Sequence, residues 1–216
     1  MATASRALPD SSDRATGSWR TIDLLTAAII GVVFGVAYWG WSSGYTALET
    51  PISSVIGPAK GLLGGPWLIA GVVGGLVVRR PGAALIAEFL AAAVSGILGT
   101  QWGATVLLSG LLQGLGVELA LALFMFKLFN VYVAALGGAL AAAFETLYEW
   151  DTYWVGLSTN WKFAYLAFFM VSGAVVAGVG GWLLTKALAA SGAIDALPAG
   201  REALPAGRKA VGDRAG

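Results

Sequence analysis

"IDLLTAAIIGVVFGVAYWGW", residues 22–41, carries a single charged side chain, Asp23, in twenty positions. A helix needs roughly 20 mainly apolar residues to cross a hydrocarbon core, so the stretch reads as a membrane span. It is too long for a typical signal core and ends in Gly and Trp without a small-residue cleavage site, so it is expected to stay as an anchor. The whole chain supports this reading. Its 216 residues are 57% hydrophobic and 12% charged, whereas a soluble domain of this size carries about 25% charged residues.

The same length criterion picks out five more segments: Leu62–Val78, Ala83–Leu98, Ala104–Phe126, Val131–Leu147 and Phe163–Leu188. The third of the six, the shortest, contains Glu88, but Arg79, Arg80 and Pro81 give it a start and Gly99 a stop. The expected fold is therefore an all-α integral membrane protein, a bundle of six transmembrane helices. Basic residues are retained on the cytoplasmic side. With the N-terminus inside, eleven of them (Arg6, Arg14, Arg20, Arg79, Arg80, Lys127, Lys186, Arg201, Arg208, Lys209 and Arg214) fall on that side, and only Lys60 and Lys162 fall outside. The asymmetry places both termini in the cytoplasm. Residues 1–20 read as a polar cytoplasmic tail and residues 21–188 as the six-helix domain. Residues 189–216, with "ALPAGRE" at 196–202 and "ALPAGRK" at 203–209, read as a low-complexity, disordered tail.

Several function classes drop out. The chain has no cysteine and no histidine, so it lacks a thiol nucleophile, a disulfide framework, and the commonest metal ligand and general base. No GxxxxGK[ST] phosphate loop is present. A net charge of +1 with scattered basic residues points to no nucleic-acid partner. No cofactor is implied, and the expected role is a transporter subunit without its own ATPase, not an enzyme.

Charge and aromatic rings collect at the outer end. "ETLYEWDTYWVG", residues 145–156, packs three carboxylates and four rings into twelve positions. Seven of the nine tryptophans lie near the outer face, all but Trp19 and Trp182. Such rings either form an interfacial belt or line a pocket where a flat or cationic ligand stacks; the one-sidedness favours a pocket for some of them. Glu145, Tyr148 and Glu149 share one helix face, with Glu145 the deeper acid. Gln113, about 13 Å below the outer start of its segment at 1.5 Å per residue, could form a cavity floor. Glu88 and Glu118 are intramembrane acids at similar depth, serving either a site or the packing between helices. Ala27, Gly31 and Gly35 form a small-xxx-small ladder, for internal packing or for docking a second membrane protein. Gly173, Ala177 and Gly181 repeat that spacing in the last segment.

Three stretches, "VVFGVAYWGW" (32–41), "RRPGAALIAEFLAAAVSGILGTQWG" (79–103) and "LSGLLQGLGVELALALF" (108–124), resemble the YkoE family. These are the thiamine or hydroxymethylpyrimidine substrate-capture (S) components of energy-coupling factor transporters. The resemblance covers about residues 20–188 and leaves out both tails. It implies a six-helix subunit of the bacterial plasma membrane that binds vitamin near the extracellular face. It also implies a transmembrane coupling protein and two ATP-binding-cassette ATPases as partners, with Ala27, Gly31 and Gly35 as the docking surface. Thiamine pairs a cationic thiazolium with a flat aminopyrimidine, which suits acids, an amide and aromatic rings better than the neutral hydroxymethylpyrimidine does. Trp102, Gln113, Glu145, Tyr148, Trp150 and Trp154 are the expected substrate-binding residues, with Glu88 a further candidate. The segment Ser42–Gly61 is expected to be a loop lying over the pocket as a lid. The competing reading is a stand-alone secondary carrier or channel for a small organic cation, with Glu88 and Glu118 as proton sites.

Overall fold

The computed structural model describes residues 18–203. Residues 1–17 and 204–216 lie outside the described residues, and with them Arg6, Arg14, Arg208, Lys209, Arg214 and nearly all of the second seven-residue unit. Among the described residues there are helices and turns and no strand. Helix α1 spans Thr21–Val55, 35 residues, about 52 Å at 1.5 Å per residue and well beyond a ~30 Å hydrocarbon core. Its buried Asp23 accepts the Arg20 backbone N–H at 3.1 Å and the Arg20 guanidinium at 2.6 Å, and Arg80 approaches the same carboxylate at 3.4 Å.

Residues 42–55 continue α1, which corrects the expected end at Trp41 and the expected loop lid over Ser42–Gly61. Its hydroxyls do not compete with the helix. Ser43, Thr50, Ser53 and Ser54 donate to carbonyls three or four residues back at 2.8–3.2 Å, a bond available only within helical backbone. Pro51 sits in the last turns, where its missing N–H costs one helix bond close to the C-terminal end.

The chain then runs through two short 3₁₀ segments, Gly57–Leu63 and Gly65–Leu68, into α2 at Ile69–Val78. The first 3₁₀ segment and the run Gly65–Val78 are bent 43° to each other. This break would leave polar backbone unsatisfied inside an apolar bundle. Side chains from other helices satisfy it. Ser172 donates to the Leu62 carbonyl at 2.6 Å and accepts the Gly65 N–H at 3.1 Å. At the start of α2, Ala70 N–H donates to the Tyr38 hydroxyl at 2.8 Å and Gly71 N–H to Glu88 Oε2 at 2.6 Å. The Tyr38 hydroxyl in turn donates to Glu88 Oε2 at 3.2 Å. Glu88 is fully buried, and the positive end of the helix dipole favours a carboxylate there. Glu118 serves α3, Ala83–Ile97, in the same way, accepting Ala84 N–H at 2.8 Å and Leu85 N–H at 3.4 Å. Glu88 and Glu118 are thus engaged by two different helix starts.

Helix α3 lies at the centre, packed by α1, α2 and α4, the last spanning Val106–Leu123. Its Ala83, Ala84, Ala87 and Ala91 have no exposed surface. Small residues on the neighbours let backbones approach closely. A Cβ added at Gly31 would lie 2.6 Å from Leu90 Cβ, and one at Gly35 2.5 Å from Val94 Cβ. The ladder Ala27, Gly31 and Gly35 is therefore taken up by α3 within the chain. This corrects its expected role as a docking surface, because none of the three is available to a partner. The lipid-facing side of α1 is instead the row Leu25, Ile29, Val32, Val33 and Val36, each about half exposed.

Helix α5 spans Val131–Thr152, capped by the Asn130 side chain. Helix α6, Thr159–Ser172, runs through a π-turn at Gly173–Val179 into α7, Gly180–Ser191. Gly138 and Gly173 meet so closely that a Cβ on Gly138 would sit 2.0 Å from the Gly173 carbonyl oxygen. After α7, Gly192 turns the chain at φ +80° into α8, Pro198–Ala203. The expected disorder from residue 189 does not describe this part: Ile194, Leu197 and Ala199 are buried against Val77, Val78 and Ala83, and Glu202 pairs with Arg79. The Pro/Gly punctuation concealed those apolar anchors.

Four described helices are long and apolar enough to cross a membrane, Thr21–Val55, Gly103–Leu123, Val131–Thr152 and Thr159–Ser191, and counting the bent pair as one span gives five. Helix α3, with 15 residues, falls short of the length criterion. The capping arrangement predicts that Glu88→Leu, which strands the Gly71 N–H and the Tyr38 hydroxyl, lowers stability by about 1–3 kcal/mol. Glu88→Gln keeps an acceptor and should lose less. Thermal unfolding of the two variants in detergent checks the order.

Candidate functional site

The break before α2 leaves room beside it. A cavity holding ≈ 720 Å³ of empty space, open mouth included, lies between the C-terminal parts of α1 and α5, the start of α4, α6 and the 3₁₀ segments. Gln113 of α4 and Glu145 of α5, both buried, line it together with Tyr38. With its amide nitrogen turned toward them, Gln113 donates to the Trp67 carbonyl at 3.1 Å and to Glu88 Oε1 at 3.2 Å. Glu88 therefore stands behind the pocket, fixing both the start of α2 and the amide that lines the cavity.

The walls are aromatic. Tyr45 lies 5.1 Å from Trp67 and 5.7 Å from Trp102, centroid to centroid, and Trp102 lies 5.7 Å from Tyr153. Trp154 lies 5.2 Å from Tyr165. Most of these contacts are tilted or edge-on, a favoured arrangement that holds each ring against the next. The polar edges are also fixed: Trp67 Nε1–H donates to Ser42 at 3.2 Å, Trp154 Nε1–H to Glu149 Oε2 at 3.3 Å, and Tyr153 shares a hydrogen bond with Thr105 at 2.8 Å.

Two carboxylates face this box from successive turns of α5. Glu145 is 5% exposed, yet its Oε2 has no hydrogen-bond partner; Ser109 and Gln113 are the polar side chains beside it. Glu149 holds Trp154 and faces Lys60. A buried carboxyl group with an unused oxygen, walled by rings, is placed to meet a cation or a hydrogen-bond donor.

Of the residues expected from the sequence, Trp102, Gln113, Glu145 and Trp154 line the cavity. Three others lie outside the lining. Tyr148 touches Tyr153 edge-on, Trp150 packs against Phe163 at 5.2 Å while its carbonyl accepts Lys162, and Glu88 caps α2. Tyr45, Lys60, Trp67, Glu149, Tyr153 and Tyr165 also line it. Tyr45 and Trp67 were legible as outer-end aromatics, Lys60 as one of two outer basic residues, and Glu149 by its i+4 spacing from Glu145. Tyr165, inside an apolar segment, gave no signal of its own.

The family described as ABC-type cobalt transport system, permease component, matches residues 22–144. The chain belongs to this family. It is also similar to YkoE of Bacillus subtilis (strain 168), whose name proposes it as an HMP/thiamine permease. The two are 28% identical over 187 residues, 86% of this chain and 92% of YkoE. A solved S-component of an ECF transporter superposes with a TM-score of 0.80 at 27% identity, covering 92% of this chain and all of that one. This member of the permease family thus has the S-component fold and is a multi-pass protein of the bacterial plasma membrane. The resemblance read from residues 32–41, 79–103 and 108–124 is matched by these relatives.

A buried carboxyl group with one oxygen unpartnered, beside a second acid, costs stability in the empty pocket. Glu145→Gln is expected to raise the melting temperature of the ligand-free protein by about 2–4 °C, the shift that ~1 kcal/mol produces in a chain of this size. Thermal unfolding in detergent measures it.

Proposed function

We propose that this chain is the substrate-capture component of an energy-coupling factor importer, and that it takes up thiamine, ahead of hydroxymethylpyrimidine, from the extracellular side. The carrying observation is the buried Glu145 carboxylate, one oxygen unpartnered, in a box of Tyr45, Trp67, Trp102, Tyr153 and Trp154. A thiazolium has the charge for Glu145 and Glu149 and the flat face for the rings, while Gln113 and Ser109 supply hydrogen bonds for the aminopyrimidine edge. The names of the relatives, an HMP/thiamine permease and an S-component, point the same way.

Cobalt, the ion in the family's description, finds little to bind. The chain has no histidine or cysteine, and among the described residues no group of three or more metal-ligating side chains converges. Phosphate esters of the vitamin are disfavoured too, since the one cation at the pocket is already paired with Glu49. The stand-alone carrier reading relied on Glu88 and Glu118 as proton sites, and both carboxylates are engaged as helix caps.

In this reading residues 21–188 form six spans with both termini in the cytoplasm. Helix α3 makes the sixth, its short length allowed because α1, α2 and α4 shield it from lipid. Delivery requires a transmembrane coupling protein and ABC ATPases, because the chain has no phosphate loop. The isolated subunit should bind thiamine without ATP. Titration followed by tryptophan fluorescence is expected to give saturable quenching, weakened at least about tenfold by Glu145→Gln, the loss of roughly 1.4 kcal/mol. Trp154→Ala should weaken it as well, and Trp150→Phe should leave it unchanged. No response to either ligand from folded protein would overturn the proposal.

A further inference from the structure

Lys60 is one of only two basic residues in the 42–62 and 148–163 regions that border the pocket, the other being Lys162. It projects from the first 3₁₀ segment into the cavity. Its ammonium lies 4.0 Å from the ring centroid of Trp154 and 5.7 Å from that of Trp161. It also donates to Glu49 Oε1 at 3.2 Å, with its side chain only 14% exposed. Glu149, bonded to the indole of the same Trp154, faces it. Ammonium, aromatic face and carboxylates together make the constellation that a cationic ligand would complete.

We propose that Lys60 is a built-in occupant of the pocket's cation seat, which an organic cation must displace, and so a specificity-determining residue. The inference rests on the capture reading above and deepens it. Like charges cannot share one ring face, so a cationic ligand enters only as the ammonium leaves Trp154. Glu49, in the last two turns of α1 and 22% exposed, already bonds the ammonium and keeps it as a partner when it swings off the ring. The 3₁₀ segment that carries Lys60 begins two residues beyond the C-terminal end of α1, and rotation about the long lysine side chain provides the displacement. A neutral ligand of the same shape avoids the conflict. Lys60 thus sets a threshold that weak monovalent cations fail to pass and a ligand with several anchoring points overcomes.

The test uses Lys60→Met, which keeps the apolar stem and removes the charge. It is expected to tighten thiamine about fivefold, within the range a cation–π contact spans, and to change hydroxymethylpyrimidine less than twofold. Since removing Lys60 also frees Glu49, the Glu49→Gln/Lys60→Met double variant is measured in parallel. Tightening that persists there supports seat occupancy, and tightening that vanishes reduces the effect to net charge and overturns the proposal. Weaker thiamine binding by Lys60→Met, or equal change for both ligands, also overturns it.

The resting position is read separately in ligand-free protein by NMR of ¹³C-dimethylated lysines. The resonance lost in Lys60→Met should be shifted upfield by the indole ring current in wild type. An unshifted resonance overturns the proposal whatever the ligand. An upfield resonance with no binding of either ligand to wild type or variant overturns the capture reading, while the occupied seat stands.

Discussion

The hydrogen bond from Gly71 N–H to the fully buried Glu88 carboxylate is the interaction on which the architecture depends. A membrane span that breaks and restarts inside the bundle exposes backbone donors where no water reaches them. Glu88 and Tyr38 take the donors at the restart, and Ser172 bridges the groups at the break. Because the span is broken, Trp67 and Lys60 are carried away from the axis of α2 and the cavity has space to exist. The same Glu88 reaches Gln113, so the cap that closes the fold also orients a group lining the pocket. The cap of α2 and the lining of the pocket meet in one carboxylate.

Close backbone contacts do the rest. With hydrocarbon on one side and helix on the other, burial of apolar surface distinguishes little between inside and outside, and shape decides. Alanines on α3 and glycines on α1, α4 and α5 let the helices approach until no side chain fits between them. The larger side chains are displaced to the exposed face of α1 and toward the pocket at the end of the bundle where rings and acids collect.

Much of this was legible in the sequence. The one-sided tryptophans and the i, i+4 pair Glu145 and Glu149 pointed to the end of the bundle where the cavity lies. What the sequence hid was tertiary. Ser43, Thr50 and Pro51 looked like loop residues because local polarity cannot show that hydroxyls will bond back along a helix. The ladder at Ala27, Gly31 and Gly35 looked available to a partner because spacing reveals a close approach without naming the approaching helix. Tyr148 and Trp150 lie in the same ring-rich stretch as Trp154 but pack on Tyr153 and Phe163 and stay out of the cavity lining, a tertiary difference that sequence spacing does not show. Glu88 and Glu118 could be seen to need a reason for their burial, and the helix starts they cap supply it.

The account's central claim is that the Glu145 carboxylate and the surrounding rings receive a flat organic cation. Its most direct test is an experimental structure of the purified subunit with thiamine. The account predicts ligand density between Glu145 and Trp102 or Trp154, with the unpartnered oxygen now engaged. Density at any other place on the protein, with Glu145 still unpartnered, would contradict it.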